Sequence, residues 1–286
     1  MQLLAAALLF STGGAAIKIA AFSPQQVASL RSGIAAAALL VWLRGRVTWS
    51  TPVVAVAGSY AATLTLFVVA TRLTTAANAI FLQSTAPLYI AVLAPFLVGE
   101  PFRRRDVPFL AMVAVGLAFC LGGSVPMTVS APDPDTGNLL GALCGVSWAL
   151  TLIGFRFVER GHSGAAISAV VIGNGIAFAA GVPALHSLSA ASAADWATLG
   201  YLGVFQIGLA YILLTNAVGH LPALHASLIL LLEPVLNPVW TWLVRGENPG
   251  MWSVLGGGII VMASAVQAVY DARTPATLAT KDTKTD

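Results

Sequence analysis

Blocks of about twenty mostly apolar residues follow one another along nearly the whole chain, and the polar positions between them are few and clustered. At 1.5 Å per residue, each block is long enough as a helix to cross a hydrocarbon core about 30 Å thick. The pattern predicts ten spans, over about 2–21, 24–43, 52–71, 75–97, 106–124, 137–158, 164–185, 196–217, 222–244 and 251–270. The connections are short. The longest, around SVPMTVSAPDPDTGN, is rich in Pro, Asp and Thr and reads as a loop. From Asp271 the chain turns polar, which predicts a disordered tail over 271–286. The first block is not read as a signal peptide, because no basic residue precedes it and FSTGG interrupts its apolar run.

Composition sharpens this picture. Hydrophobic residues make up 58% of the 286 positions and charged residues 9%, against about 25% charged in soluble domains. A chain of this length has no soluble core large enough to hide so much apolar surface, so the expected class is an all-α polytopic membrane protein. Cys120 and Cys144 both fall inside spans and read as small packing residues. His162, His186, His220 and His225 are scattered without metal-ligand spacing, and no cofactor is implied.

Orientation follows Lys and Arg in short loops. Arg44 and Arg46 follow the second span, FRRRD follows the fourth, Arg156 and Arg160 close the sixth, and Arg273, Lys281 and Lys284 lie in the tail. With ten spans all of these fall on one side. The other side carries Asp133, Asp135 and Asp195, with only Lys18, Arg72 and Arg245 as bases. Both termini of this multi-pass protein are therefore expected in the cytoplasm. Trp42, Trp49, Trp196, Trp242 and Trp252 lie near predicted span ends, as interfacial anchors do, whereas Trp148 falls near the middle of the sixth span.

The chain also repeats itself. Set without a gap, residues 70–100 and 217–247 match at Ala70/Ala217, Ala76/Ala223, Ala79/Ala226, Pro87/Pro234, Val92/Val239, Gly99/Gly246 and Glu100/Glu247. Five spans separate the copies, and an odd number inserts them in opposite directions. That predicts two inverted halves, 1–124 and 137–270, in the manner of secondary transporters with a midplane site between halves.

These motifs, AANAIFLQSTAPLYIAVLAPFLVGE and ALHASLILLLEPVLNPVWTWLVRGE, together with Pro24 to Arg31 in SPQQVASLRSG, resemble the EamA-type branch of the drug/metabolite transporter superfamily. The resemblance implies two five-helix halves around a central cavity lined by spans 1, 3, 4, 6, 8 and 9, and export of small metabolites. Bacterial aromatic amino-acid exporters of that superfamily share the Ser-Thr of the first span and a mid-helix Trp in the sixth. Here Ala86-Pro87 stands where the family repeat carries Glu-Pro, so any role of the acid is confined to the second copy.

In hydrocarbon every polar group needs a partner or a wet cavity, so midplane polar residues are the informative ones. Ser11 and Thr12 lie halfway along the first span, and Tyr60 and Thr63 share a face of the third. Asn78, Thr85 and Tyr89 form a stripe along the fourth, Ser147 and Trp148 mark the sixth, Gln206 the eighth, and Glu233 and Asn237 the ninth. All are candidate cavity residues, although a membrane Ser or Thr often bonds its own backbone or joins helices instead. Glu233 carries two readings: a carboxylate that carries protons or binds an ammonium group, or a buried acid bonded to backbone opened by Pro234. Pro87 and Pro234 are candidate kinks. Arg31 reads as a side chain snorkelling outward, with a gate as the alternative. Glu100 and Glu247 end their helices and read as capping or interfacial pairing. Glycine at every fourth position in GNLLGALCG (137–145) gives the sixth span a smooth face for packing.

The expected partners are a small-molecule substrate and the bilayer, with no nucleic acid; the sequence leaves oligomeric state open. The leading function is export of small organic solutes, amino acids foremost, by alternating access. Drugs and nucleotide sugars are alternative cargo. An intramembrane enzyme acting on lipid or isoprenoid is the competing class, and it lacks a nucleophile–base or acidic metal constellation in the sequence.

Overall fold

A computed structural model describes residues 2–97, 107–122, 127–187, 191–218 and 232–273. Among these residues the chain is helical, with a single isolated bridge between Thr128 and Ala131 and no strand. In chain order the helices are α1 (Gln2–Ser11), α2 (Gly13–Ile19), α3 (Pro24–Trp42), α4 (Thr51–Leu73), α5 (Ala76–Gln83), α6 (Ala86–Leu97) and α7 (Val107–Gly122). There follow α8 (Pro134–Gly161), α9 (Ala165–Gly181), α10 (Ala193–Gly200), a π-helical segment (Tyr201–Leu209), α11 (Ala210–Val218), α12 (Leu232–Arg245) and α13 (Met251–Arg273).

Four helical stretches among the described residues are long and apolar enough to cross a membrane: Thr51–Leu73, Pro134–Glu159, Ala165–His186 and Ala193–Leu214. Shorter apolar helices cover Leu4–Ile19, Val107–Cys120 and Met251–Ala263. Large apolar side chains cover the outside, among them Phe96 at 85% exposure. In water such a surface would aggregate; against lipid it is at home. The protein is an all-α membrane protein.

The helices begin where local chemistry supplies caps. Ser23 accepts from the Gln26 N–H while the Gln26 side chain accepts from the Ser23 N–H, and Pro24 occupies the first helical turn. Ser50 caps α4, Asp133 caps α8 and Ser192 caps α10 in the same way. Each side chain satisfies an N–H that the helix geometry leaves without an internal acceptor. α4 packs against α8 and α9, α3 against α9 and the π segment, and α7 against α13. The glycine face of the sixth predicted span meets α5: a Cβ on Gly145 would lie 2.8 Å from the Leu82 carbonyl oxygen, and one on Gly141 would lie 3.0 Å from Leu82 Cδ1. Only glycine admits that approach.

Among the described residues, three expected spans are interrupted part-way along, and the seventh ends in a 3-10 turn over Val182–Ser187. The first breaks at Thr12 between α1 and α2, and the fourth breaks at Ser84–Thr85 between α5 and α6. The eighth widens into the π segment. In both breaks hydroxyls add a second bond to carbonyls that also accept a backbone N–H: Thr12 Oγ1 donates to Leu9 O at 2.7 Å, Ser84 Oγ to Ile80 O at 2.7 Å and Thr85 Oγ1 to Leu82 O at 2.6 Å. Pro87, lacking an N–H, cannot bond back to the Gln83 carbonyl, which fixes the second break at that point. The basic cluster at 103–105 and the disordered tail expected beyond residue 273 lie outside the described residues.

Candidate functional site

The three interruptions converge on one cavity of about 270 Å³. Phe10 reaches it from beside the first break, and Gln83, Ser84, Ala86 and Pro87 reach it from the second. Gln206 and Ile207 come from the π segment, and Tyr211 and Leu214 from α11. α4 contributes Thr63, Leu64 and Phe67, α8 contributes Trp148 and Leu152, and α12 contributes Glu233 and Pro234. Arg31 of α3 and Ile260 and Val261 of α13 complete the wall. Non-helical or widened backbone at membrane depth is tolerated where it lines such a space, because its polar groups then have somewhere to turn.

The first break is the hub that holds the two other elements against it. Thr12 Oγ1 and Tyr201 Oη share a 2.7 Å hydrogen bond, and Trp240 Nε1 donates to Ser11 Oγ at 3.0 Å. A Cβ on Gly13 would fall 2.8 Å from Gln206 Nε2, and one on Gly14 would fall 2.3 Å from Asn237 Oδ1. The glycine pair after Thr12 thus lets the π segment and α12 close onto the backbone. Asn237 is fully buried with neither amide atom hydrogen-bonded, and Gln206 Oε1 is also without a partner.

Of the residues singled out from the sequence, Thr63, Trp148, Gln206, Glu233, Pro87, Pro234 and Arg31 line the cavity. Ser11, Thr12, Tyr60, Asn78, Thr85, Tyr89, Ser147 and Asn237 are not among its lining residues. Tyr60 is buried edge-to-face against Tyr211 with ring centroids 5.3 Å apart. Asn78 Nδ2 donates to Asn138 Oδ1 at 2.8 Å, and Ser147 Oγ donates to Ser59 O at 2.8 Å. Both of these bonds join helices. Thr85 closes its own break, and Tyr89 packs across Gly145. Glu100 lies outside the described residues.

Arg31 departs from the outward course expected of it. Its side chain is 1% exposed, Nη2 donates to the Leu64 carbonyl oxygen at 3.0 Å, and it borders the cavity. The backbone of α3 also packs closely on the π segment: a Cβ on Gly203 would lie 2.8 Å from the Arg31 carbonyl oxygen. Gln83 and Tyr211 went unremarked at the level of sequence. Gln83 carried a readable signal as an amide four residues before a mid-span proline; Tyr211, in an apolar run, carried none.

Glu247 sits at the far end of α12 in a separate cluster. Its carboxylate pairs with Lys18 Nζ at 2.8 Å and accepts the Ala76 N–H at the start of α5 at 2.6 Å. Lys18 also donates to Thr74 O at 2.7 Å and to Ser130 O, and Ser130 Oγ donates to Glu247. Nearby, Arg72 donates to the carbonyls of Ile17, Ala20 and Phe22. These bonds tie the end of α2, the α4–α5 junction, the 128–131 loop and the α12–α13 turn together.

With this arrangement in view, comparison with known proteins is decisive on kinship. Residues 1–122 and 135–268 each match the EamA-like transporter family. The chain belongs to the EamA-like transporter family. It is also 23% identical over 259 residues, 84% of this chain and 83% of its relative, to the "Uncharacterized transporter YyaM" of Bacillus subtilis (strain 168). A solved structure described as "Crystal structure of protein" superposes with a TM-score of 0.63 at 21% identity, covering 95% of this chain and 96% of that chain. At that identity the likeness speaks for the fold. This EamA-like protein is thus a membrane transporter of the drug/metabolite type. Its cavity draws on both matched stretches: Phe10, Arg31, Thr63 and Pro87 come from the first, and Trp148, Gln206, Glu233 and Ile260 from the second.

Proposed function

We propose that this EamA-like transporter exports small organic metabolites, amino acids foremost, across the bacterial inner membrane by alternating access. In this reading ten spans form two oppositely inserted halves, 1–124 and 137–270, that rock about a shared cavity, with both termini in the cytoplasm. The observation that carries the proposal is the cavity itself, walled by both halves at the points where three helices are interrupted. Its volume lies just below the usual range for ligand pockets, about 300–1,000 Å³, which favours a compact cargo. Its lining supports a modestly polar, partly aromatic one: Phe10, Phe67, Trp148 and Tyr211 offer apolar faces, while Gln83, Gln206, Thr63 and Glu233 offer polar contacts. A multiply phosphorylated solute would call for several cations, and Arg31 is the single Lys or Arg among the lining residues.

The test is counterflow in proteoliposomes. A labelled neutral aromatic amino acid should exchange saturably, and Trp148→Ala should change that rate. Unsaturable leakage, or no exchange above protein-free vesicles for any amino acid in the panel, overturns the reading. Glu233 is the candidate proton carrier: Glu233→Gln should abolish any acceleration of flux by a pH gradient.

A further inference from the structure

Among the described residues that line the cavity Arg31 is the one Lys or Arg, and transport as such gives it no task. Its side chain is 1% exposed. A single carbonyl, Leu64 O at 3.0 Å, accepts from Nη2, and Nε has no partner. Among the described residues the only ion pair within 4.0 Å joins Lys18 to Glu247, so no carboxylate neutralises this guanidinium. A buried charge left unpaired is strongly unfavourable, and proteins retain one where an anion comes to meet it. The planar fork, with donors left over, suits a carboxylate taken by two parallel N–H bonds.

The same cavity offers the complement. Gln83 Oε1 and Gln206 Oε1 are buried acceptors without a donor, and Glu233 adds a carboxylate that lies beyond ion-pair distance from Arg31. Unpartnered acceptors on residues that line the same space call for a donor-rich group such as an ammonium. Phe67 and Trp148 supply the apolar surface between.

We infer that Arg31 binds the carboxylate of a zwitterionic α-amino acid whose ammonium group is received by Gln83, Gln206 and Glu233. The inference rests on the transport reading above and narrows it: the backbone of the cargo is read by charge, and its side chain by Phe67 and Trp148. A cationic amine lacking the carboxylate would meet Arg31 as a like charge, and a carboxylate lacking the ammonium would leave the acceptors unanswered.

Competition in the wild-type protein is the direct test. Counterflow of labelled L-phenylalanine is measured with unlabelled phenylalanine, phenylalaninamide, phenethylamine and hydrocinnamate as competitors, the last three each lacking one charge of the zwitterion. Each should compete at least about tenfold more weakly than phenylalanine, the loss expected when one charged hydrogen-bonding group is left unpaired. Arg31→Gln should raise the half-saturating phenylalanine concentration by a similar factor and narrow its advantage over phenylalaninamide, and Arg31→Lys should restore part of it. Phenylalaninamide or phenethylamine competing as well as phenylalanine overturns the Arg31 assignment while transport stands. Hydrocinnamate competing equally overturns the ammonium half. Absence of phenylalanine exchange overturns the inference together with the amino-acid cargo. Should Arg31→Gln fail to fold, the wild-type competitor series decides alone.

Discussion

Glu247 gives the sharpest prediction outside the cavity. Its ion pair with Lys18 is buried, with side-chain exposures of 3% for Lys18 and 5% for Glu247. Truncating one partner of such a pair costs about 3–5 kcal/mol, because the other charge is left in a low-dielectric setting. Glu247→Gln is the informative change: its amide oxygen can still accept the Ala76 N–H, while the charge and the bond accepted from Ser130 Oγ are lost. Lys18 keeps its two carbonyl acceptors, Thr74 O and Ser130 O, which places the expected cost at the low end, about 3 kcal/mol. Lys18→Met removes the other charge and should cost a similar amount. The double substitution leaves neither charge stranded and should be less damaging than the sum of the two by about 1.5 kcal/mol or more. The assay is thermal melting of the four proteins in lipid nanodiscs by tryptophan fluorescence, each single variant falling by roughly 6–12 °C at 2–4 °C per kcal/mol. If the double variant melts where simple addition puts it, within about 0.5 kcal/mol, the pair is two independent surface charges and not a tie.

Other outcomes follow from single contacts. Gly145→Val would push a side chain into the Leu82 carbonyl, 2.8 Å from its Cβ, and should lower stability by about 1–3 kcal/mol, read by melting. Gly14→Ala would displace the Asn237 side chain from 2.3 Å and should impair exchange more than it lowers the melting point, since Asn237 packs on the hub of the site. Ser147→Ala removes the bond to Ser59 O and should cost only about 0.6 kcal/mol, typical of interhelical hydrogen bonds in membranes, with exchange retained. A reporter enzyme fused after Asp286 should be active only as a cytoplasmic fusion; periplasmic activity would refute the assigned orientation.

Much of the fold was legible because membrane insertion imposes few rules. Apolar runs had to be helices, and Ser23, Ser50 and Ser192 stand where helix starts need an acceptor. The breaks at Thr12 and at Ser84–Thr85 carry local signals, FSTGG in one and a proline in the other. The π segment carries none: Tyr201–Leu209 has one polar residue, Gln206, in an otherwise ordinary helical stretch without proline. The same limit governs the polar residues. Depth marks Asn78 and Gln206 alike, yet Asn78 spends its Nδ2 on Asn138 and stands outside the cavity lining, while Gln206 borders the cavity. Which of the two fates a polar side chain meets depends on the neighbouring helix, and no single-strand pattern encodes that. Arg31 shows the point most clearly. Its position along α3 permits an outward course, yet the side chain turns to the Leu64 carbonyl of α4, a neighbour that the sequence of α3 does not name.

A cavity inside a bilayer protein has to be kept from collapsing, since neighbouring helices gain dispersion energy by closing it. Two devices act here together. Glycine seams at Gly141 and Gly145, and again at Gly13 and Gly14, let helices touch at the backbone and fix their spacing. Between those seams the interrupted backbone presents polar groups that gain nothing from apolar contact. Collapse would bury Arg31, Glu233 and the free amides of Gln83 and Gln206 against hydrocarbon side chains, at several kcal/mol for each charge. The polar lining therefore does structural as well as recognition work: it makes the filled or hydrated cavity the lower-energy packing. An apolar replacement set, such as Arg31→Met with Glu233→Leu, should then raise the melting point while abolishing exchange. A variant of that kind that lost stability together with flux would show that the charges hold the helices in place instead of holding the space open.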